Sequence, residues 1–136
     1  MARDGDDGHV NRRSEPTRDV VFVVYDGIQA LDLTGPWEVF HGANGVLDET
    51  GSHHPRYRMT LCSTDGRSIR TETGLQLATE PLASAPRPHT LVVPGGFGSR
   101  SAIDDTVLVD GIRHLAGEAE RVVTVCTGAL VAAAAG

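Results

Sequence analysis

The sequence has few cysteines, no lysine and no long apolar run. Its two cysteines, Cys62 and Cys126, are too few for a disulfide framework. All twelve basic residues are arginine, so no lysine can act as a nucleophile or form a Schiff base. The longest apolar runs, 20–25 and 129–135, are far shorter than the roughly 20 residues that a membrane helix needs. These absences exclude a disulfide scaffold, lysine chemistry and a membrane span.

An excess of basic charge and an export signal are also missing. Eighteen acidic residues against twelve basic ones give a net charge of −6, which would repel a phosphate backbone. Residues 1–7 carry acids where a secretory signal has basic residues followed by an apolar core. We therefore expect a cytoplasmic protein that does not itself contact nucleic acid or a membrane.

The length and the charge pattern predict one folded domain after a short tail. A chain of 136 residues with 40% hydrophobic composition has room for a single core. Residues 1–18 mix charges with Gly, Asn, Ser and Pro and contain one valine, a composition that buries almost nothing. We expect a disordered tail over 1–18 and a folded domain over 19–136.

Strand and helix patterns alternate along residues 19–136. Val20–Tyr25 is an apolar run without polar alternation, which is typical of a strand covered on both faces of a parallel sheet. This alternation predicts an α/β fold with a doubly wound, mostly parallel open sheet of the flavodoxin-like type. The further strands are predicted at 57–63, 89–93 and 121–125, with a short hairpin of 67–70 and 75–78 around 72–74.

Three helices are predicted between these strands. The first helix begins near Gly35 and Pro36 and buries Trp37, Phe40, Ala43 and Leu47. The second is capped by Asp104 or Asp105, ends at Gly117, and buries Val107, Leu108, Ile112 and Leu115. The third covers 129–135. Because this last helix consists of small residues, we expect it to pack very closely on the sheet. Since the chain ends one short helix after the strand at 121–125, which the pattern assigns to the sheet interior, we expect a domain truncated at its carboxyl end.

Chemistry-bearing residues follow three of the predicted strands. Ligands of open α/β sheets bind at the carboxyl ends of the strands. Asp32 follows the first strand, Gly95 and Gly96 end the strand at 89–93, and Cys126 ends the strand at 121–125. We expect an acid, backbone donors and a thiol to meet at one edge of the sheet.

The segment Val125-Cys126-Thr127-Gly128 has the form of a nucleophile elbow, a sharp strand-to-helix turn that exposes one side chain. A thiol there faces the positive end of the next helix dipole, which favours a reactive cysteine. The alternative is a small apolar residue buried in a strand. Cys62 lacks this setting and is predicted to lie in the core.

Asp32 and the glycines each allow two interpretations. Leu31 and Leu33 could partly desolvate Asp32 and favour a protonated carboxyl group, but a solvated or helix-capping aspartate fits the pattern as well. Gly95 and Gly96 could leave backbone N–H groups free for an oxyanion or ligand, or could simply form a tight turn.

Cofactor and metal motifs are missing from the sequence. The run 96–101 lacks the third glycine of a dinucleotide fingerprint, and no P-loop is present. None of the six histidines is near Cys126 in sequence, and no histidine or cysteine spacing supports zinc. We expect no cofactor and no metal.

The combined motifs resemble the ThiJ/PfpI superfamily, which has a class I glutamine amidotransferase-like fold. They are Tyr25-Asp26-Gly27, Leu31-Asp32-Leu33-Thr34-Gly35-Pro36, Val93-Pro94-Gly95-Gly96 and Val125-Cys126-Thr127-Gly128-Ala129. The resemblance covers residues 19–136. Within the superfamily the sequence is similar to isonitrile hydratases and to the amino-terminal domain of GlxA-like AraC-family transcriptional regulators.

The two branches imply different functions for the same site. In a hydratase, Cys126 would attack the isonitrile carbon, Asp32 would manage the proton, Thr127 would assist, and water would release an N-substituted formamide. In a regulator, the same cysteine would lie below a pocket that senses a small molecule. The sequences of residues 26–29 and 37–40 resemble the regulators more than the hydratases. The resemblance also implies a homodimer in the complete domain, whereas Asp32 and Thr127 depart from the pattern of the superfamily's peptidases. A redox-responsive Cys126 is a third possibility.

Overall fold

The computed structural model describes residues 16–136, and residues 1–15 of the predicted tail 1–18 lie outside them. It contains seven strands and four α-helices, with one short 3₁₀ helix at Leu82–Ser84. In chain order they are β1 (Thr17–Val23), α1 (Ala30–Glu49), β2 (Arg56–Ser63), β3 (Ile69–Arg70), β4 (Gln76–Leu77), β5 (Glu80–Pro81), β6 (Thr90–Val93), α2 (Ser99–Ala102), α3 (Thr106–Glu118), β7 (Arg121–Thr124) and α4 (Gly128–Ala135).

The main sheet has the order β5-β2-β1-β6-β7, and all of its strand pairs are parallel. β1 is central, and the chain proceeds to β2 on one side and to β6 and β7 on the other. The strand order therefore reverses between β1 and β6, the position at which open α/β sheets bind ligands. The predicted α/β class with a mostly parallel open sheet is confirmed.

The core lies around β1. Val20, Val21, Phe22 and Val23 are fully buried, as expected of a central parallel strand. The Phe22 ring packs against Trp37 of α1 at a centroid distance of 5.1 Å. Leu108 and Ile112 of α3 and Val131 of α4 complete the same apolar cluster. Among residues 16–136, no helix is long and apolar enough to cross a membrane.

The first helix begins earlier than predicted. α1 starts at Ala30 rather than near Pro36, which lies inside it. Tertiary contacts explain the difference, because the Gln29 amide donates to the Gly95 carbonyl oxygen at 2.8 Å and so fixes the start of the first turn. The predicted stripe of Trp37 and Phe40 is half-buried against the core.

Other boundaries also differ from the predictions. β1 begins at Thr17, so the last two residues of the predicted tail belong to the sheet. α3 is capped by Asp105 as predicted, but it buries Val109 and leaves Val107 63% exposed. β7 lies at an edge of the described sheet rather than in its interior. The predicted hairpin is confirmed as β3 and β4, and β5 and α2 are too short to carry a periodic signal.

Candidate functional site

Cys126 lies at a sharp turn between β7 and α4. Its φ of +54° is the only positive φ of a non-glycine residue within 16–136. This left-handed conformation costs an ordinary residue on the order of 1–2 kcal/mol, so the surroundings must hold it. The side chain is exposed, whereas Cys62 is buried in the core as predicted.

Close packing of two glycines holds this turn in place. A Cβ added at Gly128 would lie 2.1 Å from the Val93 carbonyl oxygen, and one added at Gly95 would lie 2.5 Å from the Thr127 amide nitrogen. Neither position therefore accepts a side chain. The predicted close approach of the small-residue helix to the sheet is confirmed at Gly128, which sets α4 directly on the end of β6.

Residues 94–97, which we call the 94–97 turn, follow β6 and receive side chains from several distant segments. Tyr25, two residues after the end of β1, donates its hydroxyl hydrogen to the Pro94 carbonyl oxygen at 2.6 Å. Asp32, in the first turn of α1, accepts a hydrogen bond from the Gly95 amide at 3.3 Å through Oδ2. Both side chains are buried.

Two further side chains bind the second half of the 94–97 turn. The Thr127 Oγ1 accepts from the Gly96 amide at 3.0 Å and donates to the Gly96 carbonyl oxygen at 3.2 Å. The Glu72 Oε2 accepts from the Phe97 amide at 3.1 Å. The amides of residues 95, 96 and 97 thus each donate to a side-chain oxygen from a different part of the chain.

These contacts correct one sequence-based expectation. The Gly95 and Gly96 amides were predicted to be free donors for an oxyanion or ligand, but Asp32 and Thr127 occupy them. The physical reason for the glycines is steric. Gly96 has a φ of +136°, and a Cβ there would lie 2.4 Å from the Gln29 amide nitrogen. By contrast, none of the hydrogen bonds within 16–136 uses the Thr127 amide, which adjoins Cys126.

Tyr25 lies close to both predicted reactive groups. Burial raises the pKa of its hydroxyl well above the ordinary value, and the negative charges of Asp32 and of the Cys126 thiolate raise it further. Hydrogen bonds join Asp32 to Gly95 and Thr127 to Gly96, and Thr127 directly follows Cys126. These five residues therefore meet at one rim, around the 94–97 turn.

The sequence pattern does not indicate the part that Tyr25 and Glu72 play at this rim. It places Tyr25 at the end of a buried strand, and its position directly before Asp26-Gly27 is the one local signal. It places Glu72 in the turn of a hairpin, and nothing local indicates that it reaches Phe97. Within residues 16–136 no three side chains of His, Cys, Asp or Glu are grouped to hold a metal ion.

Fold and site together define a parallel α/β domain with an exposed cysteine on a strained turn between a strand and its helix. The chain belongs to the DJ-1/PfpI family, whose model matches residues 18–136. The resemblance to the ThiJ/PfpI superfamily is thereby confirmed.

Three relatives illustrate the range of this family. An uncharacterized protein of Streptomyces lividans is 41% identical over 86% of this chain and 79% of its own length. The isonitrile hydratase of Pseudomonas putida is 34% identical over 85% of this chain. An HTH-type transcriptional regulator of Mycobacterium tuberculosis is 49% identical over 47 residues, which are 35% of this chain. The chain spans 46% of the hydratase and 18% of the regulator.

A solved structure agrees with the fold. A ThiJ/PfpI family protein of Pseudomonas syringae superimposes with a TM-score of 0.74 and 21% identity, over 98% of this chain and 52% of its own length. At this identity the agreement concerns the fold alone.

Proposed function

We propose that the domain binds a small molecule at the rim above Cys126 and serves as the sensing part of an AraC-type transcriptional regulator. The observation that supports this proposal is that side chains already accept hydrogen bonds from the amides of the 94–97 turn. Catalysis through an oxyanion hole needs preorganised donors that await the developing charge. Here Asp32 and Thr127 already accept from the Gly95 and Gly96 amides, so these two donors are not available to a developing charge, which favours ligand binding over turnover through them.

The family relationship supports the same proposal. The 47 residues shared with the M. tuberculosis regulator are 49% identical, the highest local identity among the three relatives described above. In such a regulator another part of the protein would contact DNA. A net charge of −6 is consistent with a chain that does not itself bind nucleic acid.

Isonitrile hydration is the second candidate, because the P. putida hydratase matches 85% of the chain and Asp32, Cys126 and Thr127 share one rim. In this reaction Asp32 would take the thiol proton of Cys126, and the sulfur would form a bond to the isonitrile carbon while Asp32 passes that proton to the same carbon. Water would then add across the carbon–nitrogen double bond, its oxygen to carbon and one proton to nitrogen. The carbon–sulfur bond would break, and the remaining hydroxyl proton would return to the sulfur. The product is an N-substituted formamide, the substrate plus one water.

One experiment separates the two candidates. The protein is incubated with cyclohexyl isocyanide, and both formamide release and the melting temperature are measured. A sensor predicts a rise in melting temperature with at most one equivalent of product, and the Cys126→Ala variant should lose the shift. The matched Cys62→Ala variant should keep it. Continuous formamide release that is lost in Cys126→Ala would instead establish the hydratase.

A further inference from the structure

Glu72 is a second carboxylate that the 94–97 turn anchors. It lies in the turn between β3 and β4, and its own amide donates to the Ile28 carbonyl oxygen at 2.9 Å. The hairpin is also fixed to the end of β1, since the Gly27 amide donates to the Arg70 carbonyl oxygen at 2.8 Å. Glu72 is therefore held at the rim although it is exposed.

The position of this carboxylate relative to Cys126 follows from its contacts. Its Oε2 lies 3.1 Å from the Phe97 amide, and the Thr127 Oγ1 lies 3.0 Å from the Gly96 amide. Successive amide nitrogens are less than about 4 Å apart, so the two side-chain oxygens are at most roughly 10 Å apart. Thr127 directly follows Cys126, so the Glu72 carboxylate and Cys126 adjoin the same 94–97 turn.

No positive charge neutralises Glu72 at close range. Within residues 16–136, no Arg or His forms an ion pair with it at 4.0 Å or less. Asp32 adds a second carboxylate to the same turn. At this turn the Glu72 carboxylate and the Phe97 side chain, which is 78% exposed, are open to an approaching molecule, whereas Asp32 is buried.

We propose that Glu72 determines which charge a ligand of the Cys126 site can carry, favouring neutral or cationic molecules with an apolar part over anionic ones. This inference rests on the proposed function, because it assigns a ligand class to that site. Glu72 acts on the ligand through its charge, while its hydrogen bond to Phe97 maintains the turn. The two effects can be separated, since glutamine keeps an oxygen acceptor and removes the charge.

The test uses two alkylating probes of similar size, neutral iodoacetamide and anionic iodoacetate. In each case the Cys126 sulfur bonds to the probe's methylene carbon, iodide leaves with the electron pair, and the thiol proton passes to the buffer. Rates at Cys126 are followed by peptide mass spectrometry and normalised to N-acetylcysteine amide. The ratio of the two normalised rates cancels the intrinsic reactivity of the thiol and reports only the discrimination between the charges.

We expect wild-type protein to disfavour iodoacetate, and Glu72→Gln to raise the iodoacetate-to-iodoacetamide ratio about twofold at low salt, the size expected for one charge about 10 Å away in water. The Glu49→Gln variant is the matched control, because Glu49 is an exposed carboxylate at the far end of the 20-residue helix α1. Its ratio should equal that of wild type. Salt should raise the wild-type ratio toward that of Glu72→Gln.

An unchanged ratio in Glu72→Gln, or an equal change in Glu49→Gln, would overturn the inference. These outcomes are distinct from failure of the proposed function. That failure would appear as the absence of a thermal shift with the neutral ligand, or as a shift that Cys126→Ala retains. The proposed function would stand if only the charge discrimination were missing.

Discussion

The backbone of Cys126 adopts a conformation that non-glycine residues rarely take. Its φ of +54° exposes the side chain and leaves the following residues to start α4. Thr127 compensates part of the cost, because its hydroxyl both accepts from and donates to Gly96. The cysteine is therefore held by its neighbour rather than by contacts of its own sulfur.

Removing the single hydroxyl oxygen of Tyr25 tests how much its hydrogen bond stabilises the 94–97 turn. The Tyr25→Phe substitution removes the 2.6 Å hydrogen bond and leaves the buried Pro94 carbonyl without it. We expect the free energy of unfolding to fall by about 1–3 kcal/mol, the cost of an unsatisfied buried polar group. Urea denaturation followed by circular dichroism measures this change.

Tyr57 provides the control for this substitution. Its ring packs against Phe40 at a centroid distance of 4.9 Å, and no hydrogen bond of its hydroxyl is found within residues 16–136. Tyr57→Phe should leave the free energy of unfolding within about 0.5 kcal/mol of wild type. Equal losses in the two variants would show that the Tyr25 hydroxyl does not hold the turn.

At the scale of the elements, the junction of β6 and α4 permits no additional atom. The Gly128→Ala substitution would place a methyl group 2.1 Å from the Val93 carbonyl oxygen, which forces α4 away from the sheet. We expect a loss of about 1–3 kcal/mol in stability, as for other overpacked sites. We also expect slower alkylation of Cys126, because its turn is no longer held.

The Gly117→Ala substitution is the matched control. Gly117 lies in α3 with nothing within 4 Å of an added Cβ. Alanine there should raise stability by up to about 1 kcal/mol, because it is the better helix former. If Gly128→Ala were as stable as Gly117→Ala, the close approach of α4 to β6 would be wrong. Thermal unfolding of both variants gives the comparison.

Elements with a strong local signal could be predicted from the sequence. The unbroken apolar run gave the central strand, and Asp105 was identified as a cap for α3, which it is through its bond to the Leu108 amide. The start of α1 could not be predicted, because local chemistry favours Pro36 as a first helical residue while the contact with Gly95 extends the helix back to Ala30.

The site was predictable as a location but not as a network. Asp32, Gly95, Gly96 and Cys126 could be expected at one edge because strand ends meet there. Their hydrogen-bond partners could not be predicted, because the hydrogen bonds to the 94–97 turn join residues that are 69, 63, 31 and 25 positions apart. For that reason the amides were predicted to be free although side chains occupy them.

For the whole molecule, buried acidic groups predict a loss of stability at alkaline pH. Burial, and to a smaller extent the charge of Glu80, raises the pKa of Cys62 from 9.0 to about 11. Above pH 9 the unfolded thiol ionises while the folded one does not, so stability falls between pH 9 and 11. The full loss at Cys62 is on the order of 3 kcal/mol, and burial of the Tyr25 hydroxyl extends the decline to higher pH.

The Cys62→Ala variant tests the origin of this decline. Removing the thiol lowers the free energy of unfolding at neutral pH, because it opens a small space in the core. Between pH 9 and 11, however, the free energy of unfolding should fall less steeply with pH than in wild type. Urea midpoints measured across this pH range give the slope directly. An identical slope in both proteins would exclude Cys62 as the titrating group.

The central claim is that folding turns Cys126 into the reactive centre of the molecule and shields Cys62. The most direct measurement is the alkylation rate of each cysteine with iodoacetamide at neutral pH, resolved by mass spectrometry, in the folded protein and in urea. We predict that folding leaves Cys126 about as reactive as it is in urea, because its thiol is exposed, and slows Cys62 by at least about tenfold, because its thiol is buried. Folding that slows both cysteines, or leaves them equally reactive, would contradict the account.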